Sequence, residues 1–185
     1  MENHPDDIPI IDRIRAGNKE ACTLLVQRYQ QKVFQTCMGF LHDMDEAQDL
    51  TQDVLIKVCH SLDLFKGNAA FSTWLYRITV NMALNRVRSL KLRSVFRPLE
   101  VGGQTRSIAG EGGSDQNILR REQKQLLQKA LGKLSVAQRK AFVLSQYRDL
   151  SNKEVADIME LSVGAVESLL YRARVRLQDF LKKSL

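Results

Sequence analysis

Two helix-start signals separated by a turn of a few residues constrain this chain more than any other feature. Ser151, Asn152, Lys153 and Glu154 form a capping box, in which the serine hydroxyl caps a helix and the glutamate reaches back to the cap's own N–H. Val155, Ala156, Ile158 and Met159 follow as its apolar side, with the small Ala156 where two helices must cross closely. Leu161 is expected to pack in the turn and Ser162 to cap a second helix. The apolar positions of that helix, Val163, Val166, Leu170, Ala173, Leu177 and Leu181, recur at helical spacing. With a rotation of about 100° per residue, the opposite side carries Gly164, Ser168, Tyr171 and Arg172, flanked by Glu167, Arg174 and Arg176. This pattern predicts a helix-turn-helix that sets its second helix in a DNA groove. Small residues near its start permit close approach, and hydroxyl, phenol and guanidinium groups reach base edges or phosphates. The competing reading is an ordinary amphipathic helix with a solvated basic face.

The chain has 185 residues and a net charge of +7, which suits one domain or two small ones and favours a polyanionic partner. The distribution of charge is more specific. From Trp74 to Arg97 there are Arg77, Arg86, Arg88, Lys91, Arg93 and Arg97 and no acidic residue, whereas Asp43 to Asp63 holds Asp43, Asp45, Glu46, Asp49, Asp53 and Asp63. One helix therefore looks built to meet an acidic partner and its neighbour a basic one. The acidic, polar start of the chain lacks the pattern of a signal peptide, and no apolar run reaches membrane-spanning length. A cytoplasmic protein is expected, with no membrane insertion.

Helical periodicity continues along nearly the whole sequence. A first helix is predicted from Ile10 to Ala16, terminated by Gly17, and a second, capped by Asn18, buries Cys22, Leu25, Tyr29, Val33, Cys37 and Phe40. A third begins at Asp45 with Ala47, Leu50, Val54, Val58 and Leu62 inward; after a loop from Phe65 to Phe71, a fourth runs from Ser72 to Ser94. Five of the ten glycines then gather at positions 102, 103, 110, 112 and 113. The expected organisation is an all-α chain of two small helical domains, 1–97 and 118–185, joined by a flexible linker over 98–117. Ser135 and Gln138 predict a further capping box ahead of the helix-turn-helix.

Catalytic chemistry finds no support. There is no glycine-rich phosphate loop, no nucleophile elbow and no histidine after His60, and the Asp49 and Asp53 pair, one helical turn apart, reads as a partner-facing surface. Cys22, Cys37 and Cys59 are widely spaced within apolar helical patterns and read as reduced core residues. Without a Cys-x-x-Cys or His-x-x-x-His spacing, neither a metal nor any other cofactor is expected.

Three stretches in order carry a resemblance that the helix-turn-helix alone does not. These are Asp45 to Asp53, Phe65 to Asn81, and the recognition helix through Tyr171, Arg172, Ala173 and Arg174. Together they closely resemble an extracytoplasmic-function sigma factor of bacterial RNA polymerase, of the sigma-E type. The resemblance covers nearly all the chain apart from the N-terminal tail and the linker. It implies that the two domains are region two and region four of such a factor. It further implies that Asp49, Leu50, Gln52 and Asp53 contact the clamp helices of the polymerase beta-prime subunit, with region four reaching the beta flap; Leu50 reads equally as core. The loop of Phe65, Lys66, Gly67, Asn68 and Phe71 matches the family's specificity loop, which captures a base flipped out of the minus-ten element. A glycine permits close approach, Asn68 offers bonds to a base edge, and Phe65 or Phe71 offers an apolar or stacking wall, while Phe71 and Trp74 read alternatively as core aromatics, Trp74 more as packing than stacking. Arg77, Asn81, Asn85, Arg86 and Arg88 match the minus-ten helix, while Ser162, Glu167, Ser168, Tyr171, Arg172 and Arg174 match the minus-35 recognition helix. Glu167 departs from the basic residue that many relatives carry there, and could accept from a cytosine amino group.

The implied function is that of an alternative sigma factor: it binds core RNA polymerase, recognises both promoter elements and promotes melting without catalysing a reaction. An anti-sigma factor is a partner implied by family habit alone. Two other readings stay open at this point. One is a helix-turn-helix transcriptional regulator acting without polymerase; the other is a helical adaptor that binds proteins and no DNA.

Overall fold

The structure is a computed structural model that describes residues 7–96, 125–148 and 150–184. The segment 98–117, read above as a linker, lies outside the described residues, as does the start of the second unit at Ile118. Every element longer than a turn is an α-helix, and among the described residues there is no strand.

Helix α1 spans Asp7–Arg15, and Gly17 leaves it at φ 97, a left-handed backbone that glycine adopts without penalty. The side chain of Asn18 then accepts from the Ala21 N–H, capping a single 3₁₀ turn that runs directly into α2, Cys22–Leu41. Helix α3 is Met44–His60; its cap is Asp43, whose carboxylate accepts from the Glu46 N–H at 3.1 Å, two residues before the start predicted from sequence. Asp45 and Glu46 thus fall in the first turn, where the helix dipole favours acids. Helix α4, Phe71–Phe96, crosses both. Leu25, Tyr29, Val33, Cys37 and Phe40 of α2 meet Ala47, Leu50, Val54 and Val58 of α3 and Leu75, Val80 and Ala83 of α4 in one buried cluster.

The second unit comprises α5 over 125–132, α6 (Val136–Arg148), α7 (Asn152–Met159) and α8 (Val163–Ser184). All three predicted caps are made. Ser151 Oγ accepts from Glu154 N–H at 3.3 Å while Ser151 N–H donates to Glu154 Oε2 at 2.8 Å. Ser135 and Gln138 exchange the same pair at 3.2 and 2.9 Å, and Ser162 Oγ accepts from Ala165 N–H at 3.2 Å. Glu160 ends α7 in the left-handed region at φ 57, giving the turn of the helix-turn-helix. Leu161 does not pack in that turn: it is 42% exposed, at the edge of a cleft facing α4. The α8 stripe is buried at Val166, Leu170 and Ala173, while its ends, Val163 and Leu181, emerge into solvent.

The two units share a core. Ala141, Val143 and Leu144 of α6, Val155 and Ile158 of α7, and Val166 of α8 join the same cluster as α2, α3 and α4. The contact lies at the C-terminal end of α2, whose last carbonyls have no partner within the helix. Gln128 Nε2 donates to the Leu41 carbonyl at 3.3 Å, and Arg139 donates to the Phe40 carbonyl in a short bond while its guanidinium sits 5.9 Å from the Phe40 ring centroid. A cation and an amide from the second unit therefore satisfy the negative end of an α2 dipole in the first.

The cysteines correct the sequence reading. Cys22, the first residue of α2, and Cys59, near the end of α3, form a disulfide with their Cα atoms 6.2 Å apart; Cys37 alone is a free, buried thiol. Periodicity places these positions on inward faces but does not tell which helix ends meet, so two separated cysteines read as unpaired.

Candidate nucleic-acid and polymerase interfaces

The loop after α3 is held from below. Arg15 of α1 reaches under it, donating to the Leu62 carbonyl at 2.8 Å and to the Phe65 carbonyl in a short bond. Phe65 and Phe71, at the two ends of the loop, are 4% and 1% exposed and meet edge-to-face, with Trp74 packed against both at 5.5 and 5.8 Å between centroids. Tyr29 completes the cluster against Phe71 at 5.4 Å. The reading of Phe65 or Phe71 as a wall that touches a base is therefore corrected: both rings are buried in the core, where their faces and edges are taken up by one another and by Tyr29 and Trp74. Their role is to pin the ends of a loop whose middle, Lys66, Gly67 and Asn68, is exposed. Gly67 has φ 75, and a Cβ there would meet no atom within 4 Å, so the backbone conformation and not crowding demands glycine.

The first residue of α1 is a buried polar group that hydropathy does not flag. Asp7 is fully buried, accepting from Arg28 Nη1 at 2.6 Å and from the Tyr29 hydroxyl at 2.5 Å. Burial, followed by the neighbouring carboxylate, drives the Tyr29 hydroxyl well above the ordinary tyrosine range, so it stays protonated and donates.

On α3, Asp49, Gln52 and Asp53 are exposed and line up on one face, whereas Leu50 is 3% exposed and packs inward. Of the two readings of Leu50, contact or core, the core one holds: its side chain is buried in the cluster shared by α2, α3 and α4, which corrects its reading as a partner contact. Between α2 and α3 runs a groove of about 710 Å³, floored by Val26, Phe34 and Leu55 and edged by Gln30, Gln48 and Gln52. Ile56, 58% exposed, adds an apolar residue to its lip.

The basic α4 and acidic α3 are not wholly directed at separate partners. Arg86 pairs with Glu46 at 3.1 Å and reaches Asp53 at 3.8 Å, cross-linking the two helices. Along α4, Asn85 and Arg88 are exposed and touch each other at 3.4 Å, and Asn81 is exposed. Arg77 is engaged by the second unit: it pairs with Glu160 at 2.7 Å and donates to the Asp157 carbonyl at 2.6 Å, while Lys140 donates to Asn81 Oδ1 at 3.3 Å. No pattern in the sequence signalled Arg15, Gln128, Arg139 or Glu160 as positioning residues, because each acts across a long separation in the chain.

The outward face of α8 matches the sequence reading. Ser162, Gly164, Glu167, Ser168, Arg172 and Arg174 are exposed, and Tyr171 is 70% exposed. Arg172 Nε donates to the Ser168 carbonyl at 3.1 Å, and Glu167 accepts from Asn152 at 3.4 Å, which ties α8 to α7. The described surface holds an exposed loop after α3, the basic helix α4 and a polar outward face on α8. It offers no clustered histidine, cysteine or carboxylate set able to hold a metal among the described residues.

Comparison with known proteins gives this geometry a setting. Residues 25–93 match the family described as Sigma-70 region 2 and residues 124–177 the one described as Sigma-70, region 4. The chain is 31% identical to the RNA polymerase sigma-H factor of Pseudomonas aeruginosa, covering 94% of this chain and 93% of that one. It is 32% identical to the ECF RNA polymerase sigma-E factor of Escherichia coli K12 over the same shares. Among solved structures it resembles CnrH in complex with the cytosolic domain of CnrY, with a TM-score of 0.68, 26% identity, and 97% and 99% of the two chains covered.

Proposed function

Because this chain belongs to the sigma-70 family of RNA polymerase sigma factors, of the extracytoplasmic-function type, we propose a division of its promoter and polymerase contacts among three surfaces. As an alternative sigma factor it binds core polymerase and directs initiation at promoters, a non-catalytic task. In this reading the first domain takes residues 1–97 and the second 118–185, with 98–117 between them.

The exposed side of α3, Asp49, Gln52 and Asp53, presents carboxylates and an amide to a basic coiled-coil partner on core polymerase. Lys66, Gly67 and Asn68 form the pocket edge for an unstacked minus-ten base, with Asn68 supplying the hydrogen-bonding group. Asn81, Asn85 and Arg88, with Arg77 once it is released from Glu160, line the path of the opened strand; phosphate contacts fall to the arginines. Ser168, Tyr171 and Arg172 read the minus-35 duplex from the major groove, with Glu167 and Arg174 beside them. A protein partner comparable to CnrY, masking these surfaces until release, completes the reading; the support is the likeness to CnrH in its complex.

One observation carries the proposal: the two family matches fall in order on α2 to α4 and on α5 to α8, and Glu167, Ser168, Tyr171, Arg172 and Arg174 of α8 all face solvent. The test is transcription by core polymerase on fragmented genomic DNA with and without the chain, with start sites mapped. Starts that depend on the chain and share two upstream elements are expected. Chain-bound DNA sites without new starts would favour the regulator instead.

A further inference from the structure

The Cys22 and Cys59 pair stands apart from the other thiol of the molecule. Cys37 is fully buried, and burial pushes its thiol up to about 11, so it is chemically quiet. Cys22 and Cys59 are both partly exposed, and Cys59 lines the α2/α3 groove beside Ile56 and His60, where a small reagent reaches it. Their Cα separation of 6.2 Å lies inside the range a disulfide spans, so the bond forms or opens without moving either helix. The pair is also asymmetric. Cys22 lies in the opening turns of a helical run that begins at Lys19, where the dipole favours a thiolate, whereas Cys59 sits at the C-terminal end of α3, where it does not.

We propose that Cys22 and Cys59 are a reversible dithiol–disulfide couple, a modification site that staples α2 to α3 at one end of the groove beside the polymerase-facing side of α3. A low-molecular-weight disulfide such as oxidised glutathione is the oxidant. The Cys22 thiolate attacks it and expels one glutathione thiolate, giving a mixed disulfide. The Cys59 thiolate then attacks the Cys22 sulfur and expels the second. Two protein thiols and one oxidised glutathione thus become one protein disulfide and two reduced glutathiones. Linking two helices across 37 residues of chain removes unfolded-state freedom and stiffens the groove, whose edge carries Gln52. The effect on docking rests on the polymerase reading above; the chemistry of the couple does not.

The test uses the full chain equilibrated across ratios of reduced to oxidised glutathione. Free thiols are counted by maleimide gel shift, and the linkage is mapped by mass spectrometry. Reversible loss of two of the three thiols is expected, with the melting temperature roughly 5–15 °C higher in the oxidised form. Cys22→Ser and Cys59→Ser should each abolish the difference, and Cys37→Ser should retain it. In a second arm, fluorescence anisotropy with core polymerase should show the reduced form binding roughly threefold more weakly or worse, because a less rigid groove loses more freedom on docking. Three free thiols at every ratio, or a disulfide that dithiothreitol reaches only after unfolding, overturns the couple. Equal polymerase affinity in both forms overturns its link to docking. If neither form binds polymerase while the thiol and melting responses are as expected, the sigma-factor reading fails and the couple stands.

Discussion

Replacing Arg139 tests the contact between the two halves of the molecule. The residue is 7% exposed, bonds the Phe40 carbonyl and lies over the Phe40 ring, with no described carboxylate paired to it. Burial alone lowers its guanidinium from the ordinary arginine range, which marks a desolvation cost. Against that cost stand a charged hydrogen bond worth about 1.5–3 kcal/mol and a buried cation–π contact of up to about 2 kcal/mol. Arg139→Ala recovers the desolvation but strands the Phe40 carbonyl and forfeits the stacking, for a net loss of about 1–3 kcal/mol at the interface. At 1.4 kcal/mol per tenfold, that shifts the balance between joined and separated halves by roughly 5- to 150-fold. Small-angle scattering should show a larger radius of gyration at unchanged helicity. Affinity for single-stranded minus-ten DNA should rise, because Arg77 and Asn81 are freed from Glu160 and Lys140. Arg139→Lys, which keeps the charge without the planar fork, should fall between. An unchanged radius and unchanged DNA affinity would refute the reasoning, whatever happened to stability.

Asp7→Ala should cost about 2–4 kcal/mol in urea unfolding, since it leaves the Tyr29 hydroxyl buried without its acceptor and removes the Asp7–Arg28 ion pair; a loss under 1 kcal/mol would show that water replaces the carboxylate. Gly67→Ala forces a side chain into a left-handed backbone at about 1 kcal/mol. It should weaken base preference on single-stranded minus-ten DNA while leaving minus-35 duplex binding intact, read by anisotropy on both DNAs. Arg172→Ala should do the reverse, lowering minus-35 affinity by about 1–3 kcal/mol if it reads a base, or flattening the salt dependence if it holds phosphate; equal losses on both DNAs would point to a damaged fold.

Local chemistry was the part of this molecule most open to reading from sequence. The capping boxes at Ser151 and Ser135, the Ser162 cap, the Gly17 stop and the outward polar face of α8 depend only on residues within a turn or two, and they stand where periodicity placed them. What failed depends on which elements meet. Leu50, Phe65 and Phe71 fit a motif of contact residues yet point inward, because family likeness assigns a position without saying which side of it faces solvent. The Cys22 and Cys59 bond, the Arg86 ion pairs with Glu46 and Asp53, and the Arg15 strut under the loop join residues far apart in the chain. No window along the sequence contains both halves of such a contact.

The apolar cluster that runs without a break from α2 into α6, α7 and α8 has a consequence for how the protein melts. A chain assembled from two independent halves would absorb heat in two steps, each half with its own enthalpy and midpoint. Here Val143, Leu144 and Val155 are buried in the same cluster as Val33 and Phe40, so loss of either half exposes apolar surface on the other. Scanning calorimetry of the free protein should therefore record one transition whose calorimetric and van't Hoff enthalpies agree. Any partner that draws the halves apart would split that single peak in two, which makes the heat-capacity trace a direct report on whether the protein is folded upon itself or spread along a template.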